Sequence, residues 1–209
     1  MSATTELPLE AGRKTAATGG TVVWPLALVF AISVVSASWL RPMVALALQD
    51  SPGVRSLAEL SLFVAAALSP FVALARSALL AGIVSAAAIL IEERTAFRRL
   101  LRVFVIGEIA LCSTALATAV IVAHRGAALM TSPEALYVPL GLDRLWTPAD
   151  PLLLNVLRDV TVFHFAWIGI VFFGLRSRVG LTREGTLVGT LAAYAGLLGM
   201  AAVRAAVVT

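Results

Sequence analysis

Long apolar runs interrupted by few or no charged side chains constrain this chain more than any other feature. Val22 to Leu40 is the first, closed by Arg41 and Pro42. Others follow at 57–91, 103–123, 151–175 and 185–208. A helix needs about 20 mostly apolar residues to cross a bilayer, and each run is that long or longer. Composition agrees, with 60% hydrophobic and 13% charged residues and a mean hydropathy of +0.96. Soluble domains carry about 25% charged residues, so this chain has too few to cover its apolar surface with water-compatible groups. The solvent for most of it is lipid.

The formal charge of +4 does not imply nucleic acid, because the arginines sit in short clusters between apolar runs rather than along one stripe. There they orient a membrane protein and meet anionic headgroups. Cys112 is the single cysteine, which excludes an internal disulfide and a multi-thiolate metal site. The first run differs from a secretory signal despite Ser36-Ala37-Ser38. Its preceding segment is long, and Glu6 and Glu10 offset Arg13 and Lys14.

The stretch 57–91 is too long for one crossing. Proline removes a donor and disfavours helix in the residue before it, so Ser69-Pro70 is the predicted break. An interfacial or re-entrant segment at 57–69 then leads into a span at 71–91. Arg94, Arg98, Arg99 and Arg102 follow at once and are expected in the cytoplasm, which requires one crossing in this stretch rather than two. The third span is 103–123, followed by an outer loop at 124–150. Asp150-Pro151 predicts the start of a fourth span at 151–175, with an acidic N-cap and proline in the first turn. Arg176, Arg178 and Arg183 form a second inner basic loop. The last span, 185–208, starts behind a Thr182 cap. Nine of the 16 basic residues fall inside on this layout, and Trp24 and Trp39 bracket the first span as interfacial aromatics.

The predicted fold is therefore an all-α integral membrane protein with about five transmembrane helices. A short cytoplasmic tail (1–21) precedes one membrane domain (22–209) that ends outside. Ionisable groups inside spans are functional candidates by default. Arg76, Arg158, Asp159 and Arg204 are predicted toward the outer ends of their helices, where Asp159 can pair with Arg76 or Arg204. Glu108 is expected in the inner half of the bilayer, and His164 in mid-span, close enough for a Glu–His proton relay if their helices adjoin. Small residues recur at four-residue spacing in Ala78, Gly82 and Ala86, in Ser77, Ala81 and Ser85, and in Gly185 and Gly189. Such rows allow close helix packing, within one chain or between chains.

Enzyme signatures fail. Glu92-Glu93 with Arg98 approaches the Glu-Glu-x-x-x-Arg motif of CAAX-protease-like membrane proteins, but the arginine stands one position too far. There is no GxSxG, no HExxH and no phosphate-cradling glycine loop. No catalytic residue, cofactor or metal is expected.

The segment Thr95-Ala96-Phe97-Arg98-Arg99-Leu100-Leu101-Arg102-Val103 leads into the third span. Ser132-Pro133-Glu134-Ala135, Leu140-Gly141-Leu142, Phe163 with Trp167, Gly174-Leu175 and Gly180-Leu181-Thr182-Arg183 follow in order, and Trp24-Pro25-Leu26 lies near the first span. This set resembles the Yip family of small polytopic membrane proteins, in its bacterial branch. The resemblance implies five spans, the bacterial cytoplasmic membrane and a non-enzymatic role. Eukaryotic members act in vesicle traffic with small GTPases through a long N-terminal region. Only residues 1–21 precede the first span here, so GTPase recruitment is not expected. The expected function is a membrane scaffold or accessory subunit acting through helix–helix contacts. Its partners would be lipid and other membrane subunits or a second copy, with no nucleic acid. The alternative is a permease-like transporter component using Glu108 and His164.

Overall fold

A computed structural model describes residues 21–130 and 132–208; Arg13 and Lys14, assigned above to the cytoplasmic side, lie outside them. The chain is 83% helix without strands among the described residues. Its helices are α1 (Val23–Ala47), α2 (Pro52–Leu90), α3 (Phe97–Arg125), α4 (Pro151–Asp159), α5 (Val162–Gly174) and α6 (Arg183–Val208). Among the described residues five stretches are long and apolar enough to cross a membrane: α1, α2, α3, α5 with its continuation to Val179, and α6.

Helix α3 lies at the centre, against α1, α2 and α5, while α6 packs on α2 and α4. The interior is built from small and aliphatic residues around Phe104 and Trp167, whose rings sit 6.1 Å apart. The surface is as apolar as the core. Phe71 is 70% exposed, Phe173 71% and Leu90 85%. In water that distribution would drive aggregation; in a bilayer it satisfies the lipid-facing surface.

Three expectations are corrected. First, α1 does not stop at Leu40 but continues through Arg41 and Pro42 to Ala47. Arg41 is accommodated because its Nε donates to Glu59 on α2 at 2.9 Å and its guanidinium lies 5.5 Å from the Phe63 ring. Second, α2 does not break or re-enter at Ser69-Pro70; it is one helix of 39 residues. Pro70 has no N–H for the Ala66 carbonyl four residues back, and the Ser69 hydroxyl donates to that oxygen instead, at 2.8 Å. At about 1.5 Å per residue α2 runs on the order of 58 Å, against about 30 Å of hydrocarbon, so it must tilt or lie partly in the interface.

Third, the expected 151–175 span is divided. Asp150 caps α4 as predicted, accepting from the N–H groups of Leu152 and Leu153, but α4 ends at Asp159. Val160 and Thr161 are extended, and the outer connection holds them there. Leu142 N–H donates to the Val160 carbonyl at 3.0 Å, and Gly141 forms an isolated bridge with Thr161. A side chain at Gly141 would meet the Arg158 carbonyl at 2.5 Å, so only glycine permits this approach. The chain re-enters helix through a capping box in which Thr161 and His164 satisfy each other's backbone. α5 then runs into a π-turn (Leu175–Val179), closed by Gly180 in the left-handed region at φ 84°. The loop expected at 124–150 is a connection of three short 3-10 turns.

Candidate functional site

Within the bundle, α2 and α3 run antiparallel and bring Arg76 and Glu108 together. Arg76 Nε donates to both carboxylate oxygens of Glu108, at 2.8 and 3.1 Å, and Nη2 donates to Oε2. Glu108 is fully buried. Each charge is otherwise untenable at this depth, and the bidentate fork is the geometry in which guanidinium and carboxylate compensate each other best. Arg76 is thus level with Glu108, rather than near the outer helix end as expected. The two lie on facing turns, about 14 residues from the end of α2 and 11 from the start of α3.

His164 is likewise not in mid-span. It occupies the first turn of α5, where its Nδ1 accepts the Thr161 N–H at 3.0 Å. An accepting Nδ1 places the neutral ring's proton on Nε2. No hydrogen bond joins Glu108 to His164 among the described residues, because both carboxylate oxygens go to Arg76. Thr114 on α3 meets Thr161 at 3.3 Å, fixing the register of α3 and α5.

Below that level, Gly107 makes room for Trp167. A Cβ at Gly107 would lie 2.8 Å from the indole nitrogen. That N–H and the Ser77 hydroxyl are buried without an acceptor or donor among the described residues. Gly107 belongs to none of the small-residue rows or motifs in the sequence. The only signal available was a lone glycine next to a membrane-embedded acid.

The remaining candidates divide between the two ends. Asp159 pairs with Arg204, joining α4 to α6. Arg158 lies 3.8 Å from Asp143 and 5.5 Å from the Tyr137 ring. Tyr137 donates to Asp143 at 2.5 Å, and Arg125 holds the carbonyls of Ala135 and Tyr137 at 2.9 Å. Burial first, then the neighbouring Asp143 carboxylate, pushes the Tyr137 phenol above its ordinary range. A shallow cavity of about 430 Å³ opens beside Arg125, Tyr137, Asp143 and Arg144.

At the opposite end, Glu93 accepts from the Thr182 hydroxyl and, at 3.2 Å, from its N–H. That contact joins the loop carrying Arg94, which leads into Arg98 and Arg99 in the first turn of α3, to the turn between Arg178 and Arg183. Arg102 and Arg178 line one small cavity with the start of α1. Arg176 donates to the Leu181 carbonyl at 2.8 Å. Glu93 is therefore structural, and among the described residues no three His, Cys, Asp or Glu side chains converge.

The small-residue rows separate. Gly185 sits under the Glu93 carboxylate, and a Cβ at Gly189 would lie 3.2 Å from Val84 Cγ1, so this pair seats α6 against its own chain. Ser77 and Ala81 are fully buried in the same way. Ala78 and Gly82 are half-buried and Ala86 exposed, and a Cβ at Gly82 would meet nothing within 4 Å. No family model, no curated protein and no solved structure matches the chain.

Proposed function

We propose that this protein is a non-enzymatic membrane scaffold or accessory subunit, of the Yip-like kind its motifs suggest, working through helix–helix contacts within the bilayer. One observation carries the reading: among the described residues, the fully buried acid within the spans is held in an ion pair. Glu108 is 0% exposed, with both oxygens on Arg76. A permease-like component needs an aqueous path to its intramembrane polar group, and no exposed surface on Glu108 offers one. The contact row assigned to a partner helix is Ala78, Gly82 and Ala86 on α2, where a neighbouring backbone can approach closely. The reading places the tail and both basic loops in the cytoplasm of a bacterial cell.

A photo-crosslinking residue placed at Gly82 in native membranes tests it. A discrete protein adduct is expected there and none from Phe173, an exposed control on α5, away from that row. Lipid adducts alone at Gly82 would remove the scaffold reading. Uptake of solute or protons into proteoliposomes by the pure protein, abolished in Glu108→Gln, would replace it with transport.

A further inference from the structure

The cavity at the basic end is small, about 60 Å³, and lies where the start of α1, the first turns of α3 and the π-turn after α5 meet. Two arginines line it, Arg102 and Arg178. Neither takes part in an ion pair among the described residues. The Nε of Arg102 is buried and has no acceptor there. A buried donor left unmade is costly, and more so when charged. Among the described residues the lining supplies no carboxylate: Val22, Trp24, Pro25 and Ile106 are apolar, and Thr21 is the remaining member.

We propose that this pocket binds one phosphate group, carried by the headgroup of an anionic membrane lipid. Two arginines present planar donor forks, the geometry that phosphate oxygens match. The apolar wall favours a lipid over a free ion. Trp24, 54% exposed beside the arginines, stands where indoles concentrate, at headgroup level, and acyl chains can leave along it. The site also joins three elements, so an occupant would tie α1 to the α3–α5 pair.

The test uses the purified full-length chain, with lipid retention read by native mass spectrometry. Phosphatidylglycerol is compared with glucosyl-diacylglycerol, which lacks the phosphate. One phosphatidylglycerol per chain is expected, with little glycolipid retained. Arg102→Gln and Arg178→Gln should each lower retention at least tenfold. Arg98→Gln, on an exposed arginine of the same end that does not line the pocket, should change it less than twofold. Arg178 is exposed, so its variant is expected to fold, and an unchanged helical circular dichroism spectrum checks this. Displacement of the lipid by millimolar inorganic phosphate would keep the phosphate site and assign it to the free ion. Equal losses in all three variants, equal retention of the glycolipid, or no binding of lipid or phosphate would overturn the site.

Discussion

A carboxylate and a guanidinium buried together stabilise the folded chain less than their proximity suggests, because each gives up its hydration. What the Arg76–Glu108 pair does provide is a strong penalty for losing one partner. Arg76→Leu or Glu108→Leu alone is expected to cost about 3–5 kcal/mol, since an uncompensated charge stays inside the bundle. The double variant should cost much less than the sum of the two. Thermal unfolding in one detergent for all four proteins measures this; additive losses would contradict a paired role. Outside the spans, Tyr137 gives a pH-dependent readout. Its phenol is held neutral by burial and by Asp143, so its folded pKa lies above the ordinary value. Its contribution to stability is complete below the unfolded pKa of about 10 and is lost as pH rises through the folded value. The chain has two tyrosines, so Tyr194→Phe isolates this one. Its ultraviolet titration should fall above pH 10 and move back down in Asp143→Asn.

Serine and threonine decided where the helices run, and that is why their boundaries were only partly legible. Spans three and five were readable because arginine clusters and a Thr182 cap mark their ends; α3 and α6 enclose 103–123 and 185–208. The break at Pro70 was read from proline's missing donor alone, without the compensating Ser69 hydroxyl. The interruption at Val160–Thr161 was invisible because its cause is tertiary. The backbone of the outer connection, 18 residues earlier at Leu142, takes the Val160 carbonyl. No local propensity reports that. The pairing of Arg76 with Glu108 was missed for a related reason. The predicted span begins at 103, five residues before Glu108, whereas α3 begins at Phe97 and carries Glu108 11 residues in, level with Arg76. The Ser69 account predicts a specific coupling. Ser69→Ala should destabilise α2 by about 1 kcal/mol, the worth of one hydrogen bond. In a Pro70→Ala background the N–H of residue 70 can serve the Ala66 carbonyl, and the same substitution should then cost almost nothing. An equal cost in both backgrounds, by thermal unfolding, would show that the hydroxyl serves another purpose.

At the scale of the whole molecule, the two ends of the bundle differ in charge although both are rich in arginine. The end joined by Glu93 and Thr182 carries seven arginines, at positions 94, 98, 99, 102, 176, 178 and 183, against Glu92, Glu93 and Glu184. The other end carries six, at 41, 55, 125, 144, 158 and 204, and as many acids, at 50, 59, 134, 143, 150 and 159. Several are consumed in pairs there: Arg41 and Arg55 with Glu59, Arg158 with Asp143, Arg204 with Asp159. Among the described residues only the first end keeps a surplus of cations over acids close to short loops, which is the asymmetry that sets orientation during insertion. It is therefore predicted to face the cytoplasm. A cysteine in place of Thr95, in the loop between α2 and α3, should resist a membrane-impermeant maleimide applied to intact cells and react once the membrane is opened. A cysteine at Thr147, exposed in the outer connection, should behave in the opposite way. Cys112 lies within α3, and Cys112→Ala removes its background. Labelling of residue 95 from outside would invert the bundle and turn the Arg102–Arg178 pocket to the outer leaflet. It would also show that surplus charge did not govern insertion of this chain.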